Sequence, residues 1–206
     1  MMTHADFREK LNLLTGILFP DPSGTDAETE IQASSSAPSE TGRPQSETLR
    51  LFYAAFADHQ DFMKGQYDIC LPGEDETAGD LLILAREQQG VCAYGLDRSS
   101  GKVLCLDPAG RAEALDLPLE DFLLYLAALQ STGYCPCGGL IRDCAYLLEE
   151  KYSDLRITGA AGEGAVYCFE EGVVLAESGK DAYASAASGA AMEAFERLRG
   201  LEADIF

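Results

Sequence analysis

Apolar side chains at Phe7, Leu11, Leu14 and Leu18 recur at the spacing of one helix face. Thr3 is placed to cap that helix and Asp6 falls in its first turn, so a helix is expected over residues 3–18. Leu49, Phe52, Tyr53 and Phe56 form a second stripe and predict a helix over 47–57. Between the two stripes the pattern lapses. Pro20 to Thr48 holds Pro20, Pro22, Pro38 and Pro44, the run Ser34-Ser35-Ser36, six acids, one Arg and a single large aliphatic, Ile31. Such a stretch buries too little to offset its ordering entropy and reads as a flexible acidic linker.

Beyond it the period shortens to two. Tyr67, Ile69 and Leu71 alternate as in a short strand. Leu81–Ala85, Val91–Leu96 and Val103–Leu106 predict a three-stranded meander, with Gly90 free to take the positive φ of a tight turn. Pro118 opens a third helix that carries Leu119, Phe122, Leu123, Leu126 and Leu129 inward and ends at Gly133. A fourth helix is expected over Gly139–Tyr152, with Leu140, Ile141, Cys144, Leu147 and Leu148 inward. Strands at Val166–Phe169 and Val173–Glu177 flank the turn Glu170-Glu171-Gly172, and a small-residue helix over Ala184–Arg199 closes the pattern. The order predicts an α+β fold with helices packed against an antiparallel sheet. It divides into an N-terminal helix (1–19), the linker (20–48) and an α+β domain (49–206).

Charge narrows the function. Acids number 35 and Lys plus Arg 15 in 206 residues, a net −20. Phosphate contacts require Lys and Arg, so a nucleic-acid binder is not expected. An anionic membrane leaflet is disfavoured on the same ground. The field of so acidic a surface attracts a basic partner. No secretory leader is read in the first residues, and the seven cysteines sit mostly in apolar strand-like runs, so free thiols in a reducing cytoplasm are expected.

Candidate chemistry is sparse. Cys135-Pro136-Cys137 with Cys144 beyond it reads either as part of a metal set or as a turn with small buried thiols. No histidine is near and the spacing matches no common ligand pair, so the second reading is expected, with no metal and no cofactor. The glycine-rich Gly159–Gly164 leads toward a strand and not a helix, which makes it a connector and not a phosphate cradle. His4 and His59 accompany no nucleophile motif and are expected at the surface. No catalytic residue is expected. The acidic loops carry the binding expectation: Glu74, Asp75, Glu76 and Asp80 before the meander, and Glu170 and Glu171 at a hairpin tip. Glu113, Asp116, Glu120 and Asp121 surround the start of the third helix.

One hairpin carries a resemblance. Leu81-Leu82-Ile83-Leu84-Ala85-Arg86-Glu87-Gln88-Gln89-Gly90-Val91-Cys92-Ala93-Tyr94-Gly95-Leu96 resembles the central hairpin of the SUKH superfamily, which comprises bacterial toxin-immunity proteins and fungal cell-wall-assembly regulators. Glu87, Gln89, Gly90, Val91 and Gly95 match its pattern, while Gln88 stands in place of Asn and Tyr94 in place of Trp. Leu49–Tyr53 and Leu119–Leu123 are similar to its flanking helices. The resemblance implies a SUKH-like α+β domain without catalysis that works by binding a protein. It transfers no contact residues. The expectation is an immunity protein that neutralises a cognate toxin, such as a basic nuclease; the alternative is an intracellular regulatory or adaptor protein without a toxin partner.

Overall fold

In the computed structural model, the described residues are 3–19, 46–70, 77–78, 80–157 and 164–205. In chain order they form α1 (His4–Leu18), α2 (Glu47–Phe56), α3 (Gln60–Met63), β1 (Tyr67–Ile69), β2 (Thr77–Ala78), β3 (Leu81–Glu87), β4 (Ala93–Asp97), β5 (Lys102–Leu106), β6 (Ala112–Ala114) and α4 (Leu119–Tyr134). There follow β7 (Cys137–Ile141), α5 (Ala145–Lys151), β8 (Arg156–Ile157), β9 (Val166–Phe169), β10 (Val173–Ser178), β11 (Asp181–Ala186), α6 (Gly189–Arg199) and β12 (Asp204–Ile205).

The α+β class is as expected, but two antiparallel sheets stand where one was read. The first runs β1-β3-β4-β5-β6, with β2 also on β3; the second runs β12-β7-β11-β10-β9-β8. Helix α4 explains why two sheets can share one molecule. It packs on β5 of the first sheet and on β9, β10 and β11 of the second. Every residue from Phe122 to Ala128 is buried, as in a helix enclosed on all sides. A stripe reading of α4 registers only part of that burial.

The central strands β9 and β10 of the second sheet are buried on both faces. Along β10, Val174 and Ala176 join the core around α4, while Val173 and Leu175 join a second core with Phe169, Ala184 and Phe195. Period two thus sorts one strand's side chains into two cores. Helix α6 covers the second core by packing on β10 and β11.

Capping fixes where the helices start. The Asp6 N–H donates to Thr3 Oγ1 (3.2 Å) and the Thr3 N–H to Asp6 Oδ2 (3.0 Å), a reciprocal capping box. Ser46 caps α2 by accepting from the Leu49 N–H (3.2 Å). Residues 46–48 therefore belong to α2, not to the linker, and Thr48 is buried. Residues 20–45 of the expected linker lie outside the described residues. Helix α1 is built into the main core, with Phe7, Leu11 and Leu14 at zero exposure against α2 and α4.

Two expected helices are partly strands. Residues 137–141 form β7, and α5 starts only at Ala145. The Leu140-Ile141 pair fits either period, and Gly138-Gly139 disfavours helix. A Cβ on Gly139 would sit 2.9 Å from Ala203 Cβ and 3.1 Å from the Asp204 carbonyl oxygen, so glycine lets β12 approach. Likewise Ala184–Ala186 end β11, and α6 begins at Gly189 behind the Ser188 cap. Alanine's helix preference is overridden there by pairing with β10 and β7.

The family-like hairpin forms between β3 and β4. Gly90 has φ 74° and its N–H donates to the Glu87 carbonyl (2.9 Å). Val91 lies in the turn and is 60% exposed; Gln88 and Gln89 are exposed. Tyr94 is in the main core against Tyr67 and Phe122. A Cβ on Gly95 would lie 2.8 Å from Leu81 Cδ1, so this glycine lets a leucine cross the sheet.

Candidate functional site

The acidic groups separate into committed and open ones. Glu74, Asp75 and Glu76 lie outside the described residues. Asp80 is exposed at the turn into β3. Asp97, nearby in β4, accepts from the hydroxyls of Ser100 (2.6 Å) and Ser99 (2.7 Å) and from the Ser99 N–H (2.9 Å), which hold its carboxyl down to about 2. At the β9–β10 turn the expected pair divides. Glu170 is exposed. Glu171 turns inward, 11% exposed, and binds Arg199 of α6 at 2.6 Å, so it is not the surface charge expected of it.

The acids at the α4 start belong to a convergence of three helix beginnings. His4 of α1 lies 3.7 Å from Glu47 of α2 and 3.8 Å from Glu120 of α4, and the Thr48 hydroxyl donates to Glu120 (2.8 Å). Burial raises the Asp121 carboxyl above its usual range. Carboxylates at helix N-termini complement the backbone dipole, so Asp6, Glu47, Glu120 and Asp121 serve the fold. Glu113 in β6 and Asp116, two residues before Pro118, are exposed.

The same helices converge at their other ends. Phe19, which caps α1, stacks on His59 just beyond α2 (ring centroids 3.4 Å apart) and meets Phe56, Phe62 and Tyr134 at 6.2, 5.6 and 5.6 Å. Tyr134 ends α4 and is 40% exposed. Because beginnings meet beginnings and ends meet ends, α1, α2 and α4 run in the same direction. His59, expected at the surface, is half-buried in this aromatic group. Sequence periodicity did not single out Phe19 or Tyr134, because each lies at or past a helix end where the stripe stops.

The cysteines do not converge. Cys135 packs against the main core and Cys137 against the second, with Cys144 buried in the latter. Burial pushes the Cys135 and Cys144 thiols up to about 11 and Cys168 to about 12, which keeps them protonated and unreactive at neutral pH. Among the described residues no group of three or more His, Cys, Asp or Glu is placed to hold a metal ion.

A cleft of 400 Å³ opens between α4 and the β10–β11 turn, lined by Tyr67, Tyr125, Thr132, Glu177, Ser178 and Tyr183 among others. Its carboxylate is occupied: Glu177 accepts from the Tyr167 hydroxyl (2.8 Å) and the Ala165 N–H (2.8 Å). Burial, together with the bond to Glu177, raises the Tyr167 hydroxyl well above its usual range. Gly164 closes tightly over this acid, since a Cβ there would collide with Glu177 Cβ and the Glu177 carbonyl oxygen.

No family model, curated protein or solved structure was found that matches the chain. No helix among the described residues is long and apolar enough to cross a membrane.

Proposed function

We propose that the chain is a binding protein for a basic protein partner, acting without chemistry of its own. The observation that carries this reading is the charge excess. With 35 acids against 15 Lys and Arg, at least twenty carboxylates have no cation of this chain to themselves. Surplus charge of one sign raises encounter rates with the opposite sign and repels like-charged competitors. Helix N-termini and turn hydrogen bonds account for some of these acids, while Glu170, Glu113 and Asp116 stand open.

The resemblance of the β3–β4 hairpin supports the immunity form of this reading, in which the partner is a basic toxin, such as a nuclease, covered by the acidic surface in the cytoplasm. The adaptor form differs only in the partner. The test is immobilisation of the full chain and capture from its native host at low salt. A captured protein of basic isoelectric point that a salt step releases, and whose toxicity the chain suppresses in cells, is the expected result. A partner that is itself acidic, or one held unchanged through high salt, overturns the reading.

A further inference from the structure

We propose that the aromatic end of the α1–α2–α4 layer is the seat for a guanidinium or ammonium group, the anchor side chain of the basic partner. This deepens the proposed function and rests on it for the identity of the partner. Three parallel helices bring three C-terminal dipole ends, each a partial negative charge, to one place. None of the three carries a basic residue in its last turn. This is unlike α5 and α6, which carry Lys151 and the pair Arg197 and Arg199. The one-turn α3 adds little opposing dipole, and Lys64 at its end is bound to Asp68 at 2.7 Å.

The second observation is the aromatic surface. Tyr134, a residue 40% exposed, lies beside the half-buried stack of Phe19 on His59. Ring faces attract cations, guanidinium above all. The third is charge: Asp58, on the segment that joins α2 to α3, and Asp61, in the first turn of α3, are exposed within two residues of His59. Dipole ends, ring faces and carboxylates thus favour the same ligand. The opposite end of the layer has acids already matched to helix N-termini, and among the described residues its Phe and Tyr side chains, Phe7, Phe52, Tyr53 and Phe122, are buried.

The test uses the full chain and methylguanidinium chloride as probe, followed by NMR against sodium chloride at equal ionic strength. Saturable shifts at Phe19, His59 and Tyr134, without matching shifts at His4 and Glu47, are expected. Tyr134→Ala should weaken the probe about two- to fivefold, the size of an exposed cation–π contact, and Tyr134→Phe should retain it. Gly133→Lys provides a second variant: no neighbouring atom lies within 4 Å of a Cβ there, and a tethered ammonium should occupy the seat and suppress the probe. Shifts spread evenly over the acidic surface, or unchanged in both Tyr134→Ala and Gly133→Lys, overturn the proposal. A localised probe with no basic partner in the host would instead defeat the functional reading and leave the cation seat standing.

Discussion

The two helical layers treat the same physical problem in opposite ways. Helix α6, on the outer side of the second sheet, neutralises its own end. Gly200 turns the chain at φ 65°, Arg197 and Arg199 lie in the last turn, and Arg199 binds Glu171 at 2.6 Å while standing 5.6 and 5.4 Å from the Tyr152 and Phe169 rings. The inner layer of α1, α2 and α4 matches its beginnings with acids and ends in aromatic rings with no basic side chain in any last turn. The first arrangement is closed within the chain. The second leaves a negative pole for a cation from outside. Net charge alone does not distinguish these surfaces; where each helix ends does.

The largest effects test whether the layers form one unit. Phe122→Ala in the main core and Phe195→Ala in the second core should each cost about 3–5 kcal/mol, as large aromatic truncations do. Val173 and Val174 are adjacent in β10 yet belong to different cores, so calorimetry should show one transition for both variants. A split transition in Phe195→Ala alone would make the α6 layer a separate unit.

Next comes Gln130, fully buried in α4. Its Nε2 donates to the carbonyls of Phe62 (2.5 Å) and Tyr67 (3.0 Å), and its Oε1 accepts from the Tyr67 N–H (2.9 Å). Gln130→Ala should cost about 3 kcal/mol, because three buried backbone groups lose their partner. Denaturant unfolding measures it, and hydrogen exchange should place the loss at residues 62–67. An effect as small as that of a surface substitution would mean that water replaces the amide.

Arg199→Ala should cost about 1–3 kcal/mol by leaving Glu171 mostly buried without its cation. Arg199→Lys should recover part of it, since the charge returns but the planar stacking does not. The smallest effect bears most directly on the contrast. Gly133→Lys should stabilise by about 0.3–1 kcal/mol beyond Gly133→Ala, the worth of a cation at an open helix end. Leu198→Lys, at a 65% exposed position in the already basic last turn of α6, should give no comparable gain. Equal gains at both ends would erase the distinction between the layers.

Much of this architecture was legible in the sequence. Thr3 and Asp6 announced the capped start of α1, Gly90 the hairpin turn, and Pro118 with Glu120 and Asp121 the α4 start. The strands Val166–Phe169 and Val173–Glu177 were legible from their apolar runs. The second sheet was not. Of its remaining strands, β7 and β11 are built from Gly138-Gly139 and from alanines, whose local preferences say nothing of pairing partners distant in the chain, and β8 and β12 are two residues long. The inward turn of Glu171 was hidden for a similar reason, since its cation comes 28 positions later, from α6. The aromatic pole depends on three helices running in parallel, a property of topology that no local pattern encodes.

Association kinetics with the captured basic partner test the central claim most directly. Electrostatic steering requires the association rate of the full chain to fall steeply as added salt shortens the Debye length toward ~8 Å at physiological ionic strength. Glu170→Lys should slow association further without altering the melting temperature by more than an exposed charge does. An association rate that is independent of salt and indifferent to Glu170→Lys would contradict the account and leave the acidity as a property of solubility alone.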